Sequence, residues 1–506
     1  MFREGGYEGA VDDPAALSVR ARLTKDLAIA ASGAEQRILF REAGRLYMRA
    51  AEISGATYPL INAATLSLLA GDRAESQMRA AMVLDRDLAD AGGEETPYFQ
   101  LATRSEAFLL LGDIPGARKE LAAAMAGSPH AYEDHASTLR QFALILGAVG
   151  ADAAWLDALR PPRSLHFAGH LHLAPDIESL KADIRTIMRE QNIGFGFGAL
   201  AAGADILFGE ALLEAGAELH LVLPAPVALF RDASVARCGG DWADRFDSLI
   251  ERADSLRCLD GTAGPSSSVA LQLAAELAMG RAVMQADALL TEAVQILVID
   301  PDADGSQAGS SSWVGALWAG SGRRQWLVDA RRDSPAADSS RHKSQPQALG
   351  LVAGLPVELP DAQLAGPADS TLARLSEVLA TGPEPLVPPR WTGTSILVAY
   401  DRPQDVVAAA RLAALALPGR VRIAGAYGIA KRQVDPFDSS PILVGPYIGE
   451  LDRIAHCRAP GIFLVGADFA AALCARSAPG TYLAEYTGEL ASTPEGASGG
   501  LYAIRL

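Results

Sequence analysis

Residues 194–223 read GFGFGALAAGADILFGEALLEAGAELHLVL. Gly194, Gly196, Gly198 and Gly203 stand just before ADILFGEALLEAG, which has helical spacing, and the segment runs on into AELHLVLP, an apolar run of strand length. Upstream, RSLHFAG is a short apolar run ending in glycine and LKADIRTIMREQN is amphipathic. Downstream, SSVALQLAAELAMGRAVMQA reads as a helix, AVQILVID as a buried strand, PDADGSQAGSSS as a Gly/Ser-rich loop, WVGALWAG as a short helix and RRQWLVDA as a last strand. Strands alternating with helices predict a parallel sheet with crossover helices over residues 161–330. The glycines then predict a strand-to-helix turn. Free N–H groups in a first helical turn attract anions, and glycine lets the backbone approach them. The competing reading is that the glycines only allow a helix to pack closely on the sheet.

At 506 residues the chain exceeds the size of a single core, so several domains are expected. Hydrophobic residues are 49% and charged residues 21%, an ordinary globular balance with no uncharged apolar run long enough to span a membrane. The acidic, glycine-bearing start MFREGGYEGAVDD is unlike a targeting peptide, and a cytoplasmic location is expected. Cys238, Cys258, Cys457 and Cys474 form no CxxC pair, so reduced thiols are expected rather than a zinc site or a disulfide framework. A net charge of −17 speaks against partnership with nucleic acid or an anionic membrane.

Residues 14–150 have helical periodicity broken by Gly-Asp turns. LSLLAGD is followed by RAESQMRAAMVL, and AFLLLGD by IPGARKELAAAMA; Gly71 aligns with Gly112, Asp72 with Asp113 and Ala81 with Ala122, 41 residues apart. A third, weaker copy ends at FALILG, with Gly147 expected in the turn. These copies resemble tetratricopeptide (TPR-like) repeats, which stack into a curved surface that recruits peptides or other domains. A plain helical bundle fits the same pattern.

RRDSPAADSSRHKSQPQ is polar and proline-bearing, and residues 331–346 read as a linker. The third region, 347–506, is α+β: strands SILVAY and RVRIAGAYG flank the helix PQDVVAAARLAALAL, and GIFLVG, the helix ADFAAALCA and YLAEYTGEL follow.

LHFAGH, the 194–223 stretch and DPDADGSQAGSSS look like the Rossmann-like SLOG superfamily, whose relatives include the lonely guy phosphoribohydrolases and DNA processing protein A. The resemblance implies a nucleotide-derived ligand between two loops. Gly169 and His170 would close one side; Gly196, Gly198, Gly203 and Asp205 would form the phosphate or ribose side; Gly305, Gly309 and Ser310 would form the other. The phosphoribohydrolase branch cleaves with a loop glutamate in PGGxGTxxE, and DADGSQAGSSSWVGALW has none, which favours sensing over hydrolysis. Glu210 reads as a solvated or capping carboxylate. His166, His170 and His172 alternate, so a strand would turn all three to one face, but no further ligand motif supports a metal. Phe195 and Phe197 could stack on a base or pack inside.

RVRIAGAYGIAKRQVDPFDSSPILVGPYIGELDRIAHCRAPGIFLVGADFAAAL, with EYTGEL and LYAIRL, resembles the C-terminal half of a class III nucleotidyl cyclase domain. That chemistry needs two metal-holding carboxylates. The first strand, ALGLVAGL, has none, and Thr394 stands at the second position. Gly449 falls on the family's asparagine, Arg453 on its transition-state arginine, and Glu495 nearest its base-reading lysine. Losing members of such a constellation costs orders of magnitude in rate. An ordinary surface or helix-end ion pair is the preferred reading of Arg453. The sequence thus predicts a multidomain α and α/β protein with no cofactor: TPR-like repeats, a SLOG-type domain and a degenerate cyclase-like α+β domain. The expected role is non-catalytic and regulatory or scaffolding, with a nucleotide-like ligand, a protein partner on the repeats and a homo-oligomer. A purely structural assembly component and a nucleotide-processing enzyme are the alternatives.

Overall fold

The computed structural model describes residues 12–86, 96–173, 177–261, 263–301, 311–332, 349–358, 368–392, 395–418, 421–457, 462–490 and 499–505. They divide into two compact units, residues 1–161 with 288–290, and residues 162–287 with 291–506.

The first unit is helical: α1 (Pro14–Ala30), α2 (Gly33–Ser54), α3 (Thr57–Leu69), α4 (Arg73–Leu84), α5 (Pro97–Leu111), α6 (Ile114–Gly127) and α7 (Tyr132–Val149). Both Gly-Asp pairs work as joints. Gly71 and Gly112 adopt left-handed φ of +93° and +87°, which an L side chain resists, and so end α3 and α5. Asp72 and Asp113 then start α4 and α6, their carboxylates accepting the N–H groups of Glu75 at 3.0 Å and Gly116 at 2.9 Å. Gly147 is not in a turn. It continues α7, and Gly150, with φ of +68°, caps the helix instead. Leu139, Phe142, Ile145 and Leu146 of α7 share a core with Leu60, Ile61 and Ala64 of α3 and Ala107 and Leu110 of α5. Lys25 donates to Gln141 at 2.9 Å and Gln141 to Glu106 at 3.0 Å, which links α1, α7 and α5. The array therefore curls far enough for its first and last helices to meet.

The second unit contains two sheets. The first is parallel, with strands β1 (Arg163–Ala168), β2 (Ile193–Gly198), β3 (Glu218–Leu223), β4 (Ser255–Cys258), β5 (Ala293–Ile299) and β6 (Gln325–Asp329) in the order β4-β3-β2-β1-β5-β6. The crossover helices are α8 (Ile177–Glu190), α9 (Ala204–Glu214), α10 (Val227–Ser234), α11 (Trp242–Arg252), α12 (Ser268–Ala288) and α13 (Ser311–Gly320). Strand order reverses between β1 and β5, so right-handed crossovers put the helices on opposite faces. Residues of α8, α9 and α11 share a core with Leu165, Phe167, Leu219 and Leu221, while Met279, Val283, Val314 and Trp318 of α12 and α13 pack on Leu297.

The second sheet comprises β7 (Leu349–Glu358), β8 (Arg390–Thr392), β9 (Ser395–Tyr400), β10 (Arg422–Val434), β11 (Pro441–Val444), β12 (Phe463–Gly466), β13 (Ala484–Glu489) and β14 (Gly500–Ile504). Their order is β13-β14-β12-β10-β7-β9-β8, with β11 paired to β10. Its helices are α14 (Ala368–Leu379), α15 (Pro403–Ala416), α16 (Tyr447–Ala455) and α17 (Ala467–Ala475). From residue 333 on, the linker expected at 331–346 lies outside the described residues. The two sheets are not independent bodies. Ala270, Leu273, Ala274, Leu277 and Ala278 of α12 share one core with Val406, Val407 and Ala410 of α15 and Phe469, Ala470 and Leu473 of α17.

Among the described residues no helix is long and apolar enough to cross a membrane, and the four cysteines are free.

Candidate functional site

In open parallel sheets, ligands bind beyond the carboxyl ends of the strands where the strand order reverses. Here that point lies between β1 and β5. It gathers Gly169 and His170 after β1 and Gly203 and Asp205 at the start of α9. Gly305, Gly309 and Ser310, which follow β5 in sequence, lie outside the described residues.

Gly194, Gly196 and Gly198 do not form a turn. All three lie in β2, on alternate positions. A Cβ on Gly196 would come within 2.1 Å of a Leu212 methyl, and one on Gly198 within 2.5 Å of the Phe167 ring. Leu212 belongs to α9, and Phe167 stacks on Phe208 of the same helix at 5.3 Å. The glycines thus let α9 lie directly on the sheet. Phe195 is buried, and Phe197, also buried, stacks on His220 at 4.6 Å.

Gly169 and Gly203 do stand at the site. A Cβ on Gly169 would fall 2.2 Å from the Ala204 Cβ, and Gly203, at φ +96°, would carry one 2.9 Å from the His170 carbonyl oxygen. Between them lies Asp205, 7% exposed. Its Oδ1 accepts the Gly169 N–H and its Oδ2 the Ala201 N–H, each at 3.1 Å. Burial pushes its pKa up to about 7, although the two backbone donors favour the charged form. An internal carboxylate therefore takes up two backbone donors that an anionic ligand could use.

His170 is also tied down. Its Nδ1 faces the Leu171 carbonyl at 3.0 Å and its Nε2 the Ala330 carbonyl at 2.8 Å. Leu173 bridges Arg332, and the Arg332 N–H donates to Asp300 at 3.2 Å. Because Ala330 and Arg332 follow β6, the loop leaving β1 is fastened across the end of β5.

The three histidines do not share a strand face. β1 ends at Ala168, and His170 and His172 lie in the following loop, with His172 at φ +58°. His166 is fully buried, accepts from Gln295 at 2.9 Å and stacks on Trp318 at 5.7 Å; burial pushes its pKa down to about 3. Glu210 is paired rather than merely solvated, receiving Arg245 at 2.6 and 2.9 Å and Lys181 at 3.0 Å. Burial would raise its pKa, but those two cations hold it below the usual carboxylate range. Among the described residues no group of three or more His, Cys, Asp or Glu side chains could hold a metal ion.

In the second sheet, Thr394 and Glu495 lie outside the described residues. Gly449 and Arg453 are both on α16, and a Cβ on Gly449 would meet nothing within 4 Å. Sequence reasoning missed the charged groups that join the two sheets. Glu276 of α12, 0% exposed, accepts from Tyr427 of β10 at 2.8 Å, from Gln272 at 3.0 Å and from Arg476 after α17. Asp468 of α17 receives Arg257 of β4 at 3.0 Å and Arg281 of α12 at 3.8 Å. Nearby Glu450 is pushed up to about 7 by burial and by the Asp468 charge. An isolated Glu within an Ala/Leu-rich helix was the only available signal, and it does not name its partner.

No protein-family model matches the chain, and no curated protein sequence does. Among solved structures, it resembles nucleotide cyclases. The adenylyl cyclase CyaB from P. aeruginosa is 11% identical over 31% of this chain and 94% of its own, with a TM-score of 0.26. An adenylate cyclase from Trypanosoma brucei is 14% identical over 31% and 89%, at 0.27. The guanylyl cyclase Cya2 is 14% identical over 31% and 92%, at 0.24.

Proposed function

We propose that this protein is a non-catalytic regulatory scaffold that acts by assembly, its helical array recruiting a protein partner and its two-sheet unit serving as a rigid body. The observation that carries this reading is the pairing of both Asp205 carboxylate oxygens with the Gly169 and Ala201 N–H groups. A carboxylate held there repels a phosphate and already occupies those two backbone donors. Cyclase chemistry also lacks support, because two hard metal ions need carboxylates where the sequence has an apolar strand and Thr394.

A second reading, sensing of a nucleotide-derived ligand at the same fork, is favoured by the strand reversal between β1 and β5. Calorimetric titration of the full chain with ATP, GTP, their cyclic products and ADP-ribose, followed by chromatography of the ligand, separates the readings. Scaffolding predicts no heat of binding. Binding of intact ligand, abolished by Gly203→Asp, would replace scaffolding by sensing, and turnover would overturn both.

A further inference from the structure

Helix α1 has two apolar faces. One, with Leu17, Ala21 and Ala28, is buried in the array. The other carries Val19, Leu23 and Leu27, one turn apart and 51%, 45% and 62% exposed. Arg20 reaches Glu42 of α2 at 3.8 Å, and α1 and α2 form an antiparallel hairpin. That pairing brings Ile38, one turn before Glu42 and 60% exposed, alongside the Leu23–Leu27 part of the stripe. A helix face left on the outside of a stacked array is normally polar. Here that face is apolar, as though a further helix were to pack on it.

We propose that this face is the seam of a two-fold dimer in which α1 pairs antiparallel with α1 of a second copy. The stripe is self-complementary. A two-fold axis through Leu23 sets Leu23 on the second copy's Leu23 and Val19 on its Leu27. Its rim is self-complementary too. Arg22 and Asp26, both exposed, lie one turn apart on the same flank. An antiparallel two-fold pair brings like flanks together. Arg22 of one copy then lies about 3 Å along the axis from the second copy's Asp26, and the pair is made twice. A foreign helix would have to match this order of charges; a second copy does so by symmetry.

The proposal rests on the assembly reading and names its surface. It is tested by sedimentation equilibrium of the full chain at low to high micromolar concentration, with circular dichroism to confirm folding. The expected result is a dimer that Leu23→Glu converts to a monomer of unchanged melting temperature. Arg22→Glu should weaken the dimer at least tenfold, and the double exchange Arg22→Glu with Asp26→Arg should restore it. Because Leu23 is half-exposed, Leu23→Glu is expected to fold; if it does not, Leu27→Gln and the charge exchange carry the test alone. A dimer indifferent to both Leu23→Glu and the charge exchange overturns the seam and leaves assembly standing. A monomer at every concentration overturns the seam and self-assembly together. A monomer that dimerises once residues 1–11 are removed shows that the chain's own N-terminal segment covers the face, and also overturns the seam.

Discussion

The hydroxyl of Tyr427 donates to Glu276 across 2.8 Å, joining strand β10 of one sheet to helix α12, which crosses over the other. Arg476 donates to the same carboxylate, so a fully buried charge is compensated from two elements of the second sheet's layer. Glu276→Ala would leave Arg476 largely buried without its anion. A loss of about 3–5 kcal/mol is expected for removing one partner of such a pair. Urea denaturation should show it as a lower midpoint. Glu276→Gln, which keeps an acceptor for Tyr427, should cost less.

Gly280 sets how closely the two sheets' helices approach. A Cβ there would lie 1.8 Å from the carbonyl oxygen of Ala471, a backbone atom that cannot swing aside. Gly280→Ala is therefore expected to destabilise the unit by at least about 1–3 kcal/mol. Gly449→Ala, in open space on α16, should be neutral or stabilising by up to about 1 kcal/mol. Thermal melts of both variants check the contrast. If they shift alike, the close approach of α12 and α17 is wrong.

Asp205 and Glu450 make stability fall with rising pH. Burial raises both to about 7, from ordinary values of 3.8 and 4.5. Between those limits the folded chain holds more protons than the unfolded one, so their contribution is complete below about pH 4 and is lost as pH rises through 7. Melting temperatures taken from pH 5 to 8 should decline less steeply in Glu450→Gln than in the wild type. An identical slope would remove Glu450 from this account.

With Mg²⁺ or Mn²⁺ and ATP or GTP, the purified chain is expected to form no cyclic nucleotide above a no-protein blank. Replacing Arg453 by Ala should change nothing. A product whose rate falls with Arg453→Ala would show that the cyclase-like region is active.

The local elements were legible because each is coded locally. Apolar runs gave β1, β3, β5, β9 and β12, while the Gly-Asp pairs at 71–72 and 112–113 supplied a left-handed stop and a carboxylate start for neighbouring helices. The third repeat misled because Gly147 and Gly150 are equivalent in composition, and only the φ of Gly150 ends the helix. At the candidate site, sequence grouped Gly169, Gly203 and Asp205 with the β2 glycines, and of its two readings of those glycines the packing one holds. A glycine that frees a loop and one that admits a helix are the same letter.

What the sequence determined by itself is the alternation of the main helices and strands, since hydrophobic period, caps and turn residues act within a few positions. Tertiary structure alone decided that Gly196 and Gly198 face α9, that the carboxylate of Asp205 turns onto the Gly169 and Ala201 N–H groups, and that α12 serves two sheets at once. These relationships join residues far apart in the chain. Their energy depends on burial and distance, which exist only once the chain has folded.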